Sequence, residues 1–235
     1  MNRIIQTSIN LLFPQRCVVC DEPAPFGKLI CEKCKGKLEY IREPRCMKCG
    51  KALREEKEYC GDCLKIQHKF KQGKVLYDYG SMSDSLFRFK YEGRREYARF
   101  YARDLYVHFK PWLRAIAPDA LIPVPIHYKR QNKRGYNQSY ELAKELSFIS
   151  QIPVKKDYLI RSVNTSPLRN LNPQERRKNL KNAFKMGKND VKLSTIVILD
   201  DIYTTGSTMD AITEIILQYN PCDVYFMCLA SGRGI

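Results

Sequence analysis

Residues 197–208 read V-I-L-D-D-I-Y-T-T-G-S-T, and this stretch decides the fold. An apolar run closes on two adjacent carboxylates, Asp200 and Asp201, and a Thr-Thr-Gly-Ser-Thr tract follows at once. The run predicts a buried strand over 194–201, and STMDAITEIILQY (207–219) predicts a helix with Ile212, Ile215, Ile216 and Tyr219 on one face. In an open parallel sheet the ligand crevice lies at the carboxyl ends of the strands. The first N–H groups of a helix, with its dipole, then favour an anion such as a phosphate. Gly206 permits the tight turn, and the hydroxyls of Thr204, Thr205, Ser207 and Thr208 add donors. Two carboxylates are poor neighbours for a bare phosphate, but they suit a ligand that also carries hydroxyls or a metal. A ribose 5-phosphate has both features, a diol for the acids and a phosphate for the loop.

Outward from this point the chain alternates strands and helices. GKVLYDYG (73–80), DALIPVPI (119–126) and DVYFMCLA (223–230) read as strands. Residues 82–113 read as helical with a break near Gly93, and 137–149 as a helix capped by Asn137 or Ser139. The alternation predicts an α/β fold, a mostly parallel sheet flanked by helices on both faces. Residues 155–192 are rich in Asn, Pro and Arg, and only ERRKNLKNAF (175–184) looks helical.

The first sixty-odd residues differ in kind. Eight of the ten cysteines fall there in four C-x-x-C pairs. CVVCDEPAPFGKLICEKC (17–34) and CMKCGKALREEKEYCGDC (46–63) repeat one pattern with a period of 29. Each pair puts two thiolates in one turn, and two pairs complete the four-sulfur shell that zinc prefers. Four pairs therefore make two structural Zn²⁺ sites. Joining neighbours (Cys17, Cys20, Cys31, Cys34; Cys46, Cys49, Cys60, Cys63) matches the repeat, and interleaving pairs one and three against two and four is the alternative. So many paired cysteines, with Cys222 and Cys228 read as buried apolar thiols, suit a reducing compartment. Gln6, Thr7, Ser8 and Asn10 interrupt the leading apolar residues, so 1–16 does not read as a signal peptide; Ile5, Ile9 and Leu12 fit a helical face. No apolar run is long enough to span a membrane, and a cytoplasmic location is expected.

The motif from Val197 to Thr208 resembles the phosphoribosyl-pyrophosphate (PRPP) loop of type I phosphoribosyltransferases. With FKYEG (89–93), LIPVPIHYKRQNKRGYNQSYELAKEL (121–146) and ERRKNLKNAF, the whole chain resembles the ComF family of competence-associated proteins. The resemblance implies a zinc-ribbon-like module over residues 1–70 and a phosphoribosyltransferase-like domain over 71–235. It implies that Asp200 and Asp201 hold the ribose hydroxyls, directly or through Mg²⁺, as the catalytic pair of an active enzyme. It implies that Thr204, Thr205, Gly206, Ser207 and Thr208 hold the 5-phosphate, and that His127, Lys129, Arg130 and Arg134 face the pyrophosphate. One departure stands out: Thr165-Ser166-Pro167-Leu168 has Leu where the family's Thr-x-x-Gln has an amide.

Charge points to an anionic partner. The formal net charge is +16, and residues 155–192 hold 11 Lys and Arg against 3 Asp and Glu. Arg176, Arg177 and Lys178 are the candidate nucleic-acid contacts. Three functions are carried forward: a DNA-uptake protein that binds PRPP and single-stranded DNA or a helicase of the uptake machinery, an active phosphoribosyltransferase releasing pyrophosphate, and a PRPP sensor without chemistry.

Overall fold

In a computed structural model of the chain, the described residues are 15–25, 27–163, 180, 183–187 and 191–232. Arg176, Arg177, Lys178, the Thr165–Leu168 tract and the leading apolar residues lie outside them. The 29-residue repeat is a repeat of structure. Cys17 N–H donates to Glu22 O and Cys46 N–H to Lys51 O, each at 2.8 Å. The bridges Arg16–Pro23 and Arg45–Ala52 are likewise 29 residues apart. Each knuckle turns through one left-handed residue, Asp21 (φ 62°) and Gly50 (φ 77°). Asp tolerates that conformation. At the second knuckle a Cβ would stand 2.8 Å from Gly73 O, so glycine is required. Regular structure here is limited to a 3-10 turn at Glu32–Lys37 and helix α1 (Gly61–Lys65).

The sheet follows. Strand β1 (Gln72–Asp78) leads into α2 (Tyr79–Tyr91) and α3 (Tyr97–Ile116), with the expected break at Gly93 (φ 72°). Then come β2 (Ala120–Pro123), α4 (Tyr128–Arg134), α5 (Gln138–Ser150), β3 (Leu159–Arg161), β4 (Phe184–Met186), β5 (Thr195–Tyr203), α6 (Ser207–Tyr219) and β6 (Asp223–Ser231). The main sheet is parallel throughout, in the order β1-β6-β5-β2. Strand periodicity divides its two faces. Val197 and Leu199 pack with Leu142, Ala143 and Leu146 of α5 and with the buried side of α2 and α3. Ile196 and Ile198 pack with Ile212 and Ile216 of α6 and with the antiparallel β3–β4 pair. The chain thus leaves β2 toward one face and β5 toward the other. The point between their carboxyl ends is where topology places a ligand crevice.

Three expectations change. The β5 ladder runs two residues further than expected, to the pair Tyr203–Ser231. Tyr219 is 71 % exposed, beside the buried Asn220, and Met209 and Thr213 join Ile212 and Ile216 on the buried side. The antiparallel β3–β4 pair was not foreseen.

The cysteine-rich segment covers the sheet's β1 edge. Ile41 N–H donates to Leu76 O, Asp78 N–H to Glu39 O and Gly73 N–H to Lys48 O, which occupies groups an open edge strand would leave unpaired. Cys46, Cys49 and Cys60 belong to the same buried cluster as Phe70, Val75, Ile198 and Phe226. Phe226 is the hub: its ring stacks on Tyr203 at 4.8 Å, meets Phe70 edge-on at 4.9 Å and fills the space over Gly73.

A Cβ at Gly73 would lie 2.0 Å from the Phe226 ring. Gly73→Ala is therefore expected to cost about 1–3 kcal/mol by overpacking, read as a lower urea midpoint at unchanged zinc content. An unchanged midpoint would show that the Phe226 ring can move aside freely.

Candidate functional site

The crevice is built from the ends of β2 and β5. Gly206 takes φ 81°, and α6 starts at Ser207 with no side-chain cap on its first turn. The first helical bond runs from Asp210 N–H to Gly206 O at 2.8 Å, so the N–H groups before it lie outside the helical ladder. Thr205 Oγ1 and Ser207 Oγ are 2.8 Å apart on the same turn. Hydroxyls and backbone donors thus converge where the helix dipole favours negative charge.

The two carboxylates behave differently. Asp200 Oδ1 accepts from Ser139 Oγ at 2.9 Å and from the Asp201 N–H at 2.9 Å. Burial, and then the adjacent Asp201 charge, push its carboxyl up to about 7, against the opposing pull of Lys90 and its hydrogen bonds. Asp201 Oδ1 pairs with Lys90 Nζ at 3.0 Å. Lys90 comes from the end of α2, which is fastened to α4 and α5. Tyr136 Oη donates to Phe89 O, Gln138 Nε2 donates to Lys90 O at 3.4 Å, and Arg134 Nη2 donates to Tyr91 Oη at 3.0 Å. Asn137 caps α5 by accepting from the N–H groups of Ser139 and Tyr140, which sets Ser139 against Asp200.

Cations gather after the end of β2, on α4 and its cap. His127 Nδ1 caps α4 by accepting from the Lys129 N–H at 3.3 Å. Burial, then Lys129, Arg161 and Arg130, lower its pKa, which matches an imidazole that accepts. Burial and then Arg134 lower Arg130, with Tyr91 opposing. Burial, followed by Arg130, brings Arg161 down to about 10, although Asp200 opposes the change. These groups destabilise one another's charge, and a bound polyanion relieves such a cluster.

Structure keeps Cys17, Cys20, Cys31 and Cys34 together, and Cys46, Cys49, Cys60 and Cys63 together, each set of sulfurs within 4.8 Å. Neighbouring pairs join and interleaving is ruled out. The contacts Cys20–Cys31 at 3.8 Å and Cys49–Cys60 at 3.7 Å match the ~3.8 Å between sulfurs that tetrahedral Zn–S bonds of about 2.3 Å imply. Burial raises the Cys17 thiol, but N–H donors of Cys20, Cys31 and Val19 outweigh it and bring it to about 7, while burial and then the neighbouring Cys31 raise Cys34 in the same cluster. Both sites are four-sulfur and closed, which makes them structural.

Asp200 and Asp201 thus sit near the end of β5, Thr204, Thr205 and Gly206 in the turn after it and Ser207 and Thr208 at the start of α6, while His127 caps α4 and Lys129, Arg130 and Arg134 lie on it. Lys90, Ser139 and Arg161 were not singled out. Lys90 stands inside the quoted FKYEG, but its pairing with Asp201 crosses the fold and leaves no local signal. Among the described residues no helix is long and apolar enough to cross a membrane.

Comparison with known proteins agrees with this layout. Residues 8–64 match the double zinc ribbon domain, and residues 122–234 match the phosphoribosyl transferase domain. Competence protein F of Haemophilus influenzae is 32% identical over 211 residues, 87% of this chain and 91% of that protein. DNA utilization protein YhgH of Escherichia coli O157:H7 is 30% identical over 224 residues, 93% of this chain and 98% of that protein. Competence protein ComFC of Bacillus subtilis is 27% identical over 204 residues, 80% of this chain and 78% of that protein.

The raised Asp200 carboxyl carries a stability consequence. Its folded value of about 7 lies above the ordinary 3.8, so the folded chain prefers the proton. Stability therefore falls as pH rises from about 4 through about 7. Asp200→Asn can keep the Ser139 and Asp201 hydrogen bonds and removes this titration. The melting temperature of the variant minus that of the wild type is expected to grow between pH 5 and pH 8, measured by calorimetry. A constant difference would show that Asp200 titrates normally.

Proposed function

The chain belongs to the ComF family, and from that premise we propose that it acts in DNA uptake as a protein that binds PRPP, or a related ribose phosphate, together with single-stranded DNA. The observation that carries the ligand reading is the crevice itself. An acid pair stands between an uncapped hydroxyl-rich helix start and a cluster of mutually repelling cations. The loop residues Thr204–Thr208 suit the 5-phosphate, Asp200 and Asp201 the ribose hydroxyls, and Arg130 and Arg134 with Lys129 the pyrophosphate. Carboxylate oxygens are the donors that Mg²⁺ accepts, so the acid pair also fits a magnesium ion carried in on the pyrophosphate. Lys90 then exchanges Asp201 for ligand oxygen.

The DNA reading rests on the surface beside this crevice. Phe87 (50% exposed) and Tyr91 (55% exposed) are neighbours at 5.1 Å on α2, and the Arg134 guanidinium lies 4.7 Å over the Tyr91 ring. Exposed rings continued by a guanidinium plane offer stacking to unpaired bases without reading their sequence. The names of the Haemophilus, Escherichia and Bacillus relatives, competence and DNA utilization, point the same way. Phosphoribosyl transfer with pyrophosphate release is the second reading. It is favoured by the intact acid pair facing cations that would stabilise the leaving group.

Calorimetry with PRPP and Mg²⁺ tests the first half. Binding by the zinc-loaded wild type is expected to be lost in Asp201→Asn and in Thr205→Ala, and no wild-type binding would overturn the ligand assignment. Fluorescence anisotropy with an oligothymidine tests the second. Tyr91→Ala is expected to weaken binding about 5- to 100-fold, the range for one stacked base, and an unchanged affinity would move DNA off this surface. Pyrophosphate release on adding nitrogen acceptors would single out the transferase.

A further inference from the structure

His68 follows the second cysteine cluster in sequence and ends beneath the phosphate loop. Its side chain is fully buried, and the ring stacks on Phe70 at 4.7 Å. Nδ1 lies 2.8 Å from Asp210 Oδ2, while the next residue, Lys69, donates its N–H to Asp210 Oδ1 at 3.3 Å. Lys69 Nζ also reaches Glu214 at 3.1 Å. Both oxygens of Asp210, in the first turn of α6, are therefore held by residues 68 and 69. The imidazole also supports the loop from below: a Cβ on Gly206 would stand 2.7 Å from His68 Cε1 and 2.6 Å from Tyr203 Oη.

This contact begins at the zinc ribbon. Ile66 N–H donates to Asp62 O and His68 N–H to Ile66 O, so the chain from Cys63 to His68 is a short hydrogen-bonded run. Lys51, itself buried, pairs with Asp62 at 2.7 Å and lays its ammonium 5.5 Å over the ring of Tyr203, the residue that opens the loop. Two groups of the second ribbon thus touch the loop from the side away from the crevice.

Packing alone does not explain a histidine here. Phenylalanine would fill the same space against Phe70 and Gly206, whereas the imidazole leaves Nε2 buried without a hydrogen-bond partner among the described residues. An unpaired buried nitrogen is costly. What the imidazole adds is the bond to Asp210. A carboxylate in the first turn of the helix that receives a phosphate opposes that phosphate unless it is held and compensated.

We propose that His68 is a positioning residue for sugar-phosphate binding. Carried by the second zinc ribbon, it holds the Asp210 carboxylate away from the phosphate loop and supports Gly206 from beneath. This rests on the reading of the crevice as a ribose-phosphate site, and it explains why the ribbon is built into that domain's core. The first ribbon has no part in it. Its contacts run elsewhere, from Asp21 to Arg94 at 2.7 Å and to Tyr97.

The test compares wild type, His68→Phe and His68→Phe/Asp210→Asn, all zinc-loaded, with ribose 5-phosphate and inorganic pyrophosphate as separate calorimetric ligands. His68→Phe keeps the packing and releases Asp210. It is expected to weaken ribose 5-phosphate about tenfold, equivalent to ~1.4 kcal/mol, with pyrophosphate affinity and zinc content unchanged. Asp210→Asn in the same background is expected to restore most of the loss. Equal ribose 5-phosphate affinity in wild type and His68→Phe overturns the proposal. So does a loss that Asp210→Asn leaves in place, or a parallel loss of pyrophosphate binding that marks general damage. Wild type that binds no ribose 5-phosphate overturns the ligand reading itself, and the positioning role falls with it.

Discussion

The packing of the second four-cysteine cluster into the sheet's core is the constraint on which the rest depends. Cys46, Cys49 and Cys60 are buried with Phe70, Val75 and Phe226, so a metal-binding shell forms part of the main hydrophobic interior. A small cysteine-rich segment cannot fold on its own apolar content, and zinc supplies the missing stability. Here that stability is shared. The ribbon closes the β1 edge, Gly50 and Gly73 allow the two backbones to approach, and Phe226 carries the packing on to Tyr203 at the mouth of the crevice. The first ribbon is attached on the other side, through Asp21 to Arg94 and Tyr97 of the helical layer.

The candidate site concentrates charges that its own residues do not fully satisfy. Desolvation and the adjacent Asp201 disfavour the charge on Asp200; burial with neighbouring Arg134 lowers Arg130, and burial with neighbouring Arg130 and Arg134 lowers Arg161. Lys90 neutralises Asp201 directly. The disfavoured acid and the crowded cations each cost stability, and the ligand proposed above would offset both by bringing hydroxyls to the acids and phosphate to the cations. A chain with a net charge of +16 has many surface cations to spare. Those at the end of β2 differ because they are partly desolvated beside one another, where opposite charge is worth more than in water.

Much of this was legible in the sequence, and the division follows range. The strand, the acid pair and the Thr-Thr-Gly-Ser-Thr turn are local, and so were read from twelve residues. The 29-residue repeat joined neighbouring cysteine pairs correctly, since equal spacing reproduces equal hydrogen bonds at Cys17 and Cys46. Tyr219 is exposed against expectation because the buried stripe of α6 runs through Met209, Ile212, Thr213 and Ile216 to Asn220, and a residue between those positions turns outward. The β3–β4 pair escaped notice because three-residue strands leave too short a pattern. Lys90–Asp201 and His68–Asp210 were invisible for a different reason. Each joins residues more than a hundred positions apart, and neither partner is unusual where it stands.

The same division bears on why the zinc ribbons and the phosphoribosyltransferase-like fold occur in one chain. Two domains joined only by a linker would show their contacts at the linker. Here the contacts run from Lys51, His68 and Lys69 to Tyr203, Gly206, Asp210 and Glu214, on β5, α6 and the turn between them. A buried imidazole and a buried ammonium are poor choices for an inert interface, because each must be paired or stacked to be tolerated. Their partners are the first turn of α6 and the aromatic ring at the end of β5. The ribbon's buried polar groups are therefore spent on the same few residues that shape the loop. A module whose task was confined to its own surface would have no physical reason to place them there.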